Sequence, residues 1–216
     1  MNILEIKNVN IYYGGKEVLR EINIDVKKNE ILCIMGPSGC GKSTLLSLIN
    51  GFLTENGGEY TGDVILNGKN IRSMKPLQLR RSISTLFQDS KPFPLSIENN
   101  ILYPIEFYEG KVKNRKERIS DYLKDVNLYN EVKDDFKMSA LKLSGGQKQR
   151  LCIARMLTTD PDILIFDEPC SSLDMENTLI IEKLIKKLSE KYMVILTTHN
   201  EEQAKRIADR TILIGK

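Results

Sequence analysis

A short apolar run that leads into a glycine-rich loop and then a helical pattern constrains this chain more than any other segment. Five apolar residues, ILCIM (Ile31 to Met35), run directly into GPSGCGKST (36–44), and LLSLIN continues from there. An apolar run of this length next to glycine predicts a strand buried on both faces, and the spacing of the leucines predicts a helix. A strand, loop and helix in this order predict an α/β core with a parallel sheet.

The glycine-rich loop has the composition of a phosphate-binding loop. It matches the pattern G-x-x-x-x-G-K-[ST] through Gly36, Gly41, Lys42 and Ser43. Glycines let backbone N–H groups turn toward anionic oxygens, and the helix start adds about half a positive charge there. Lys42 can then reach the β- and γ-phosphates of a nucleotide, and the Ser43 hydroxyl suits Mg²⁺. An ordinary glycine turn is the alternative. The predicted nucleotide-binding residues are Gly36, Pro37, Ser38, Gly39, Cys40, Gly41, Lys42, Ser43 and Thr44.

Acidic residues stand at the end of another apolar run. ILIFDEP (163–169) places Asp167 and Glu168 after four apolar residues, and ligands of open α/β sheets collect at the carboxyl ends of strands. We expect Asp167 to hold Mg²⁺ through water and Glu168 to polarise the water that attacks a phosphoanhydride. The alternative is that both residues only cap the next helix. His199, the one histidine, ends VILTTH; we expect it to donate to the γ-phosphate, although a lone histidine is by itself more often structural.

The remaining patterns predict a single domain with two additions to the α/β core. Alternating residues in LEIKNVNIYY (4–13) and LREINIDVKK (19–28) predict antiparallel strands, with GDVILNG (62–68) as a third. Further buried strands are predicted at Ile163, Met193 and Thr211, and helices at 42–50, 145–158, 175–191 and 201–209. Residues 89–158 show amphipathic patterns and no buried strand, which predicts a helical lobe inserted into a core of 1–88 and 159–216.

Composition limits the location and the partners. The 216 residues are 41% hydrophobic and 28% charged, and the longest apolar run is far shorter than a membrane span. The N-terminal sequence lacks the features of a secretory signal, and the four cysteines have no C-x-x-C spacing, so we expect a cytoplasmic protein with reduced thiols. The net charge of +3 is too small to predict nucleic-acid binding. The basic segment 111–118 is expected to be solvated, with contact to acidic lipid or a partner as the alternative.

A second glycine-rich stretch has no obvious place in the first site. KLSGGQKQRLCIARML runs from Lys142 to Leu157, and its serine and glycines precede an amphipathic helix. This arrangement gives a second helix N-terminus that can bind anionic oxygens. One nucleotide rarely requires two such sites from the same chain, and this stretch belongs to the predicted lobe. We therefore expect it to act on a nucleotide held by another subunit.

These motifs, in this order and over essentially the whole chain, resemble the ATP-binding cassette (ABC) family. The resemblance implies the ABC ATPase fold, ATP and Mg²⁺ as ligands, ATP hydrolysis, and two copies joined head to tail around the nucleotides. It implies that Tyr13 stacks on adenine, with Tyr12 as a weaker candidate, and that Gln88 contacts Mg²⁺ or water at the hinge of the lobe. The alternatives are strand packing for Tyr13 and a polar turn for Gln88.

The same resemblance assigns roles across the dimer. LSGGQ is similar to the signature motif, whose serine and glycines reach the γ-phosphate held by the partner, and SSLD (171–174) is similar to the loop that links the two sites. His199 corresponds to the switch histidine. The residues implied to bind nucleotide in this way are Ser144, Gly145, Gly146, Gln147 and Asp174. A simple helix cap is the alternative for Asp174.

Within that family, the chain resembles the ATPase subunits of bacterial phosphate importers. The similar segments are GPSGCGKST, QDSKPFPLSIENNI, LSGGQKQRLCIARML and THNEEQAKRIADR. This implies integral membrane permease subunits as partners, a place on the inner face of the cell membrane, and a solute-binding protein in the same system. Cys170 stands where threonine is usual, and the sequence ends soon after the last predicted strand, which suits a short ABC ATPase of an export or other two-gene system as the alternative. An ABC ATPase without a permease and a P-loop kinase are more distant alternatives.

Overall fold

The computed structural model describes residues 2–89 and 91–215 of the chain. Its strands are β1 (Asn2–Tyr13), β2 (Lys16–Lys27), β3 (Ile31–Met35), β4 (Gly58–Leu66), β5 (Lys69–Asn70), β6 (Ile83–Leu86), β7 (Ile163–Asp167), β8 (Met193–Thr197) and β9 (Arg210–Leu213). They form an antiparallel sheet in the order β2-β1-β4-β5 and a parallel sheet in the order β6-β7-β8-β3-β9. The predicted fold class is therefore confirmed. Predictions that include Met1, Ser90 and Lys216 lie, at those residues, outside the described part.

The central strands of the parallel sheet are buried on both faces. In β3, Ile31, Cys33 and Met35 join one hydrophobic cluster, while Leu32 and Ile34 join another on the opposite face. The same alternation occurs along β7 and β8. Because burying one such side chain contributes about 1.5–3 kcal/mol, these all-apolar runs are stable only with a layer on each side. The parallel sheet therefore lies at the centre of the protein.

Helices supply both covering layers. They are α1 (Lys42–Ile49), α2 (Pro76–Ser82), α3 (Ile97–Glu109), α4 (Arg115–Asp125), α5 (Tyr129–Val132), α6 (Gly145–Leu157), α7 (Met175–Ser189) and α8 (Glu201–Ile207), with short 3₁₀ helices at Ile71–Ser73 and Ala140–Lys142. Helix α1 shares one cluster with the antiparallel sheet, and α3 to α8 share the other. None of the helices in the described ranges has the length and apolar character of a membrane span.

Helices α3 to α6 occupy the interval that was predicted to form an inserted lobe. The described residues of this interval contain no strand, and Ser96 and Ser139 form only an isolated bridge. Helix α3 begins after Ser96, whose hydroxyl accepts from the Asn99 N–H at 3.2 Å. The helices nevertheless share a hydrophobic cluster with β7 and β8. The boundaries 89 and 158 of a separate lobe therefore stay a prediction.

Strand β6 was not predicted. Its sequence ISTL contains two hydroxyl residues and follows α2 without an intervening turn, so no apolar run marks it. It forms the edge of the parallel sheet and pairs in register with β7. Because β6 ends at Leu86, Gln88 lies near the same carboxyl edge at which Asp167 ends β7.

Candidate active site

The glycine-rich loop joins β3 to α1 at the carboxyl edge of the parallel sheet. Gly41 stands before α1 with φ of 104°, a conformation that costs glycine little because it has no Cβ. Among the described residues, no side chain caps the start of α1, so its first N–H groups can bind an anion. The Lys42 ammonium donates to the carbonyl oxygens of Gly36 at 2.7 Å and Pro37 at 3.1 Å. The lysine therefore lies over the loop, where a phosphate would compete with these carbonyls for it.

The back of the loop is packed against the end of the described chain. A Cβ on Gly36 would lie 2.5 Å from the Ile214 carbonyl oxygen and 2.6 Å from the Cys40 sulfur. Both distances are far shorter than an ordinary carbon contact. A larger residue at position 36 would force the loop away from the sheet, so this glycine is required by close packing.

Asp167 and Ser43 bring two oxygen donors together. The Ser43 hydroxyl donates to Oδ2 of Asp167 at 3.3 Å, and the Thr197 hydroxyl donates to Oδ1 at 2.6 Å. Thr197 is fully buried, so its bond fixes the orientation of the carboxylate. Hydroxyl and carboxylate oxygens are hard ligands that Mg²⁺ accepts together with phosphate oxygens and water, and Gln88, which lines the same cavity, carries an amide oxygen of the same kind. The donor set therefore fits Mg²⁺ bound with a nucleotide.

The backbone of Glu168 departs from the strand conformation directly after β7. Its φ is 49°, a left-handed conformation that costs a non-glycine residue roughly 1–2 kcal/mol. Its N–H donates to the Thr197 carbonyl oxygen at 3.2 Å and to the Thr197 hydroxyl oxygen at 3.0 Å. Thr197 thus contacts both acidic residues. This role of Thr197 was not predicted from the sequence, because a threonine within a strand pattern carries no distinctive signal.

His199 is paired with Glu168. Its Nδ1 lies 2.8 Å from Oε2 of Glu168, and the imidazole side chain is 70% exposed while that of Glu168 is 12% exposed. With a carboxylate as acceptor, Nδ1 is the donor in this bond. The predicted bond from His199 to a γ-phosphate stays a prediction.

A single cavity of about 450 Å³ collects these groups. This volume lies within the range of small-molecule sites. The cavity is open to one side and bounded by the phosphate loop, both acidic residues, the glutamine and the histidine. Its lining residues are Ser38, Gly39, Gly41, Lys42, Ser43, Thr44, Gln88, Asp167, Glu168 and His199. The structure therefore brings together predicted residues that come from four separate segments of the sequence.

Tyr13 does not line this cavity. It ends β1, is half-buried, and packs against the cluster of the antiparallel sheet, where a Cβ on Gly58 would lie 3.0 Å from its Cζ. The hydroxyl of Tyr12 instead lies 3.5 Å from the Glu17 carboxylate. Stacking of Tyr13 on adenine stays a prediction.

The loop before α6 also lies outside the cavity. Ser144 and Gln147 form a reciprocal cap: the Ser144 hydroxyl accepts from the Gln147 N–H at 3.3 Å, and Oε1 of Gln147 accepts from the Ser144 N–H at 2.9 Å. Gly145 is exposed, whereas Gly146 is buried. Asp174 caps α7. The structure thus separates this second glycine-rich stretch from the phosphate loop of its own chain.

The start of α6 is supported by Glu131, a charged residue that was not predicted from the sequence to have a role. Glu131 accepts from Nε2 of Gln147 at 2.9 Å and forms an ion pair with Arg150, with the closer nitrogen at 2.6 Å. The Arg150 side chain is 7% exposed; it also donates to the Asn127 carbonyl oxygen at 2.7 Å, and Glu131 supplies the negative charge that offsets its lost hydration. Burial raises the pKa of Glu131, but the bonds from Arg150 and Gln147 more than offset this and hold the pKa below its ordinary value.

Replacing Glu131 by Ala is expected to lower the free energy of unfolding by about 2–3 kcal/mol, because it leaves the Arg150 guanidinium buried without its carboxylate. Urea unfolding followed by circular dichroism measures this. Because the pKa of Glu131 is lowered in the folded state, its contribution is complete at neutral pH and is lost as the pH falls through that lowered pKa. Glu117→Ala, at an exposed position of α4, is the matched control. Equal stability of both variants would contradict this role.

Comparison with known proteins decides the family. The sequence profile described as "ABC transporter" matches residues 19–171, from β2 through the phosphate loop and the loop before α6 to the segment after Glu168. The chain belongs to the ABC transporter family. It is therefore an ATP-binding subunit that hydrolyses ATP to power transport, as the sequence analysis predicted.

Individual relatives agree with this assignment. The chain is 43% identical over 213 residues to the phosphate import ATP-binding protein PstB 2 of Shouchella clausii, covering 97% of this chain and 78% of that protein. It is 47% identical over 214 residues to the phosphate import ATP-binding protein PstB of Borreliella afzelii, covering 97% and 82%. Among solved structures, a bacterial Atm1-family ABC exporter with ATP bound is similar with a TM-score of 0.81 at 26% identity. That match covers 98% of this chain, which spans only 37% of the exporter's length.

Proposed function

We propose that this ABC ATPase powers the import of phosphate through a separate membrane permease, using MgATP bound between two copies of the chain. The observation that most supports the arrangement of two copies is the separation of the anion-binding elements within one chain. The phosphate loop and Glu168 line one cavity, while the loop before α6 lies outside it. A nucleotide held in the cavity then has an open side, and a second chain can close it.

The chemistry of one site follows from the side chains of the cavity. The Lys42 ammonium and the first N–H groups of α1 offset the negative charge of the β- and γ-phosphates. Ser43, Asp167 and Gln88 would hold Mg²⁺, which would add further positive charge to offset the negative charge of the phosphates. Glu168 accepts the proton of the attacking water, and the bond from Nδ1 of His199 orients its carboxylate.

The partner chain completes the site. In a head-to-tail pair, Ser144 and Gly145 of the second copy approach the γ-phosphate from the open side, with Gly146, Gln147 and Asp174 behind them. The exposed start of α6 brings a second helix N-terminus to the anion. Hydrolysis removes the phosphate that joins the two surfaces, so the pair opens again.

A surface for the permease lies on and before α3. Phe93, Tyr103 and Phe107 are 37–62% exposed, the rings of Phe93 and Tyr103 meet edge to face with centroids 5.8 Å apart, and Phe107 lies one helical turn after Tyr103 on α3. Exposed aromatic residues in a group favour a partner surface. We propose that this group contacts the permease subunits and that the chain lies at the cytoplasmic face of the cell membrane. An opening of α3 to α6 relative to the cavity would move this surface.

Phosphate as the cargo rests on the relatives named phosphate import ATP-binding proteins, which are 41–47% identical. The test is ATPase turnover of the chain purified with the membrane protein encoded beside it and reconstituted in liposomes with the neighbouring solute-binding protein. We expect phosphate to raise turnover several-fold and sulfate to leave it unchanged, because the two anions differ in protonation and hydrogen bonding at neutral pH. ATPase turnover that does not change when phosphate is added, but that drives the efflux of another solute, would favour export instead.

A further inference from the structure

The two glycines at the start of α6 have different surroundings within a single chain. A Cβ added to Gly145 would meet no atom within 4 Å, whereas one added to Gly146 would lie 2.0 Å from Oδ1 and 2.7 Å from Cγ of Asn177. Neither glycine has a left-handed φ, so the backbone alone does not require glycine at either position. Contact with the same chain therefore requires glycine at position 146.

Hydrogen bonds to Asp174 hold the Asn177 side chain beside Gly146. Its Nδ2 donates to Oδ1 of Asp174 at 3.1 Å and to Oδ2 at 2.9 Å, and its backbone N–H donates to Oδ1 at 2.8 Å. The close approach involves Cγ as well as the terminal oxygen. A methyl group at position 146 would thus have to break the Asn177 to Asp174 bonds or displace the first turn of α6.

A second contact joins the same two segments. The side-chain amide of Gln149, one turn further along α6, donates to the carbonyl oxygen of Pro169. Pro169 directly follows Glu168, and Asn177 lies in the first turn of α7. The first two turns of α6 therefore contact both ends of the segment 169–177, which directly follows Glu168.

We propose that Asn177 is a positioning residue that fixes the start of α6 against the segment 169–177 of its own chain, and that Gly146 is glycine to admit it. Each chain presents the loop before α6 to the partner's nucleotide. The segment 169–177 of the same chain, which follows Glu168, then holds that loop in place. This rests on the proposed dimer only for its functional consequence, since the contact itself lies within one chain. Ser144 and Gly145 remain exposed for the partner.

A double-mutant cycle on the full chain tests this proposal. It uses Gly146→Ala, Asn177→Ala and their combination, each in a Glu168→Gln background, and measures ATP-dependent dimerisation by light scattering alongside the ATP affinity of the monomer. We expect Gly146→Ala to weaken dimerisation by about tenfold or more, as overpacking does in tight sites, and Asn177→Ala to weaken it by about threefold. Monomer affinity for ATP should change less than about twofold in all of them.

The combined variant decides between a contact with Asn177 and a contact with nucleotide. Because the clash disappears with the asparagine, the combined variant should dimerise as well as Asn177→Ala alone and better than Gly146→Ala. Additive losses would overturn the proposal, since they would mean that glycine at 146 serves something other than Asn177. Normal dimerisation of Asn177→Ala would overturn the positioning role.

Hydrogen exchange in the nucleotide-free monomer separates this proposal from the proposed function. Gly146→Ala and Asn177→Ala should speed exchange at the Gln147 and Lys148 amides, which are bonded to Ser144. Gly145→Ala is the matched control and should leave that exchange unchanged. If neither the Glu168→Gln chain nor its variants dimerise with ATP, the proposed dimer is wrong, but hydrogen exchange still tests the contact between Gly146 and Asn177. Unchanged hydrogen exchange in both test variants would refute that contact.

Discussion

The Glu168→Gln variant is expected to lose ATP hydrolysis by about 10²- to 10³-fold, within the range that removal of a general base costs. Gln keeps the size of the side chain and an acceptor oxygen for Nδ1 of His199, which lies 2.8 Å from the carboxylate, but it cannot take a proton from water. ATP affinity should change little, because the phosphate contacts of Lys42 and Ser43 are untouched. Steady-state phosphate release and fluorescent-nucleotide binding measure the two quantities.

The Glu168→Gln variant also tests whether ATP joins two copies of the chain. If ATP joins two copies and hydrolysis separates them, Glu168→Gln with ATP should accumulate as a dimer in light scattering, and the wild type should not. Glu190→Gln, at an exposed position after α7, is the matched control and should behave as wild type. A variant that binds ATP and stays monomeric would contradict the head-to-tail site.

The elements that the sequence predicted well carry their own local signal. The all-apolar runs of β3, β7 and β8 are buried on both faces, and a run of that kind is stable only inside a covered parallel sheet. Asp167, Glu168 and His199 follow directly from such runs, so the carboxyl edge that gathers them could be inferred before any contact was known. Strand β6 lacks that signal because half of its residues are hydroxyl side chains.

The residues that hold the site in place could not be predicted in the same way. Thr197 contacts two residues about thirty positions earlier, and Glu131 supports Gln147 and Arg150 from a different helix. Asn177 lies thirty-one residues after Gly146. Such contacts depend on how separate elements pack, and a single polar residue in a helix has no periodic pattern that identifies its partner.

The hydrogen bond between His199 and Glu168 gives the histidine a role that was not predicted from the sequence. The sequence favoured a direct bond from His199 to the γ-phosphate, whereas in the structure its Nδ1 is engaged by the carboxylate. One nitrogen of the ring can therefore orient Glu168 while the other remains to bond a phosphate oxygen. Because a phosphate oxygen is an acceptor, the two bonds together require a proton on each ring nitrogen, whereas a ring with a proton on Nδ1 alone makes only the bond to Glu168.

Replacing Lys42 by Ala is expected to weaken ATP binding by at least about 30-fold, since losing one partner of a desolvated charge pair costs about 2–5 kcal/mol. Among the described residues, the ammonium donates to the Gly36 and Pro37 carbonyl oxygens alone, and water can satisfy these carbonyls at this partly exposed site. The fold should therefore keep its stability while the β- and γ-phosphates lose their nearest cation.

Isothermal titration with ATP and with AMP separates this effect from a general loss of the site. AMP has no β- or γ-phosphate, so its weaker binding should be the same in wild type and Lys42→Ala, and the loss for ATP should come from the missing contact with those phosphates. Lys28→Ala, at an exposed turn after β2, removes the same charge elsewhere and should bind ATP as wild type. Equal loss in both lysine variants would mean that overall charge, rather than the position of Lys42 over the loop, governs binding.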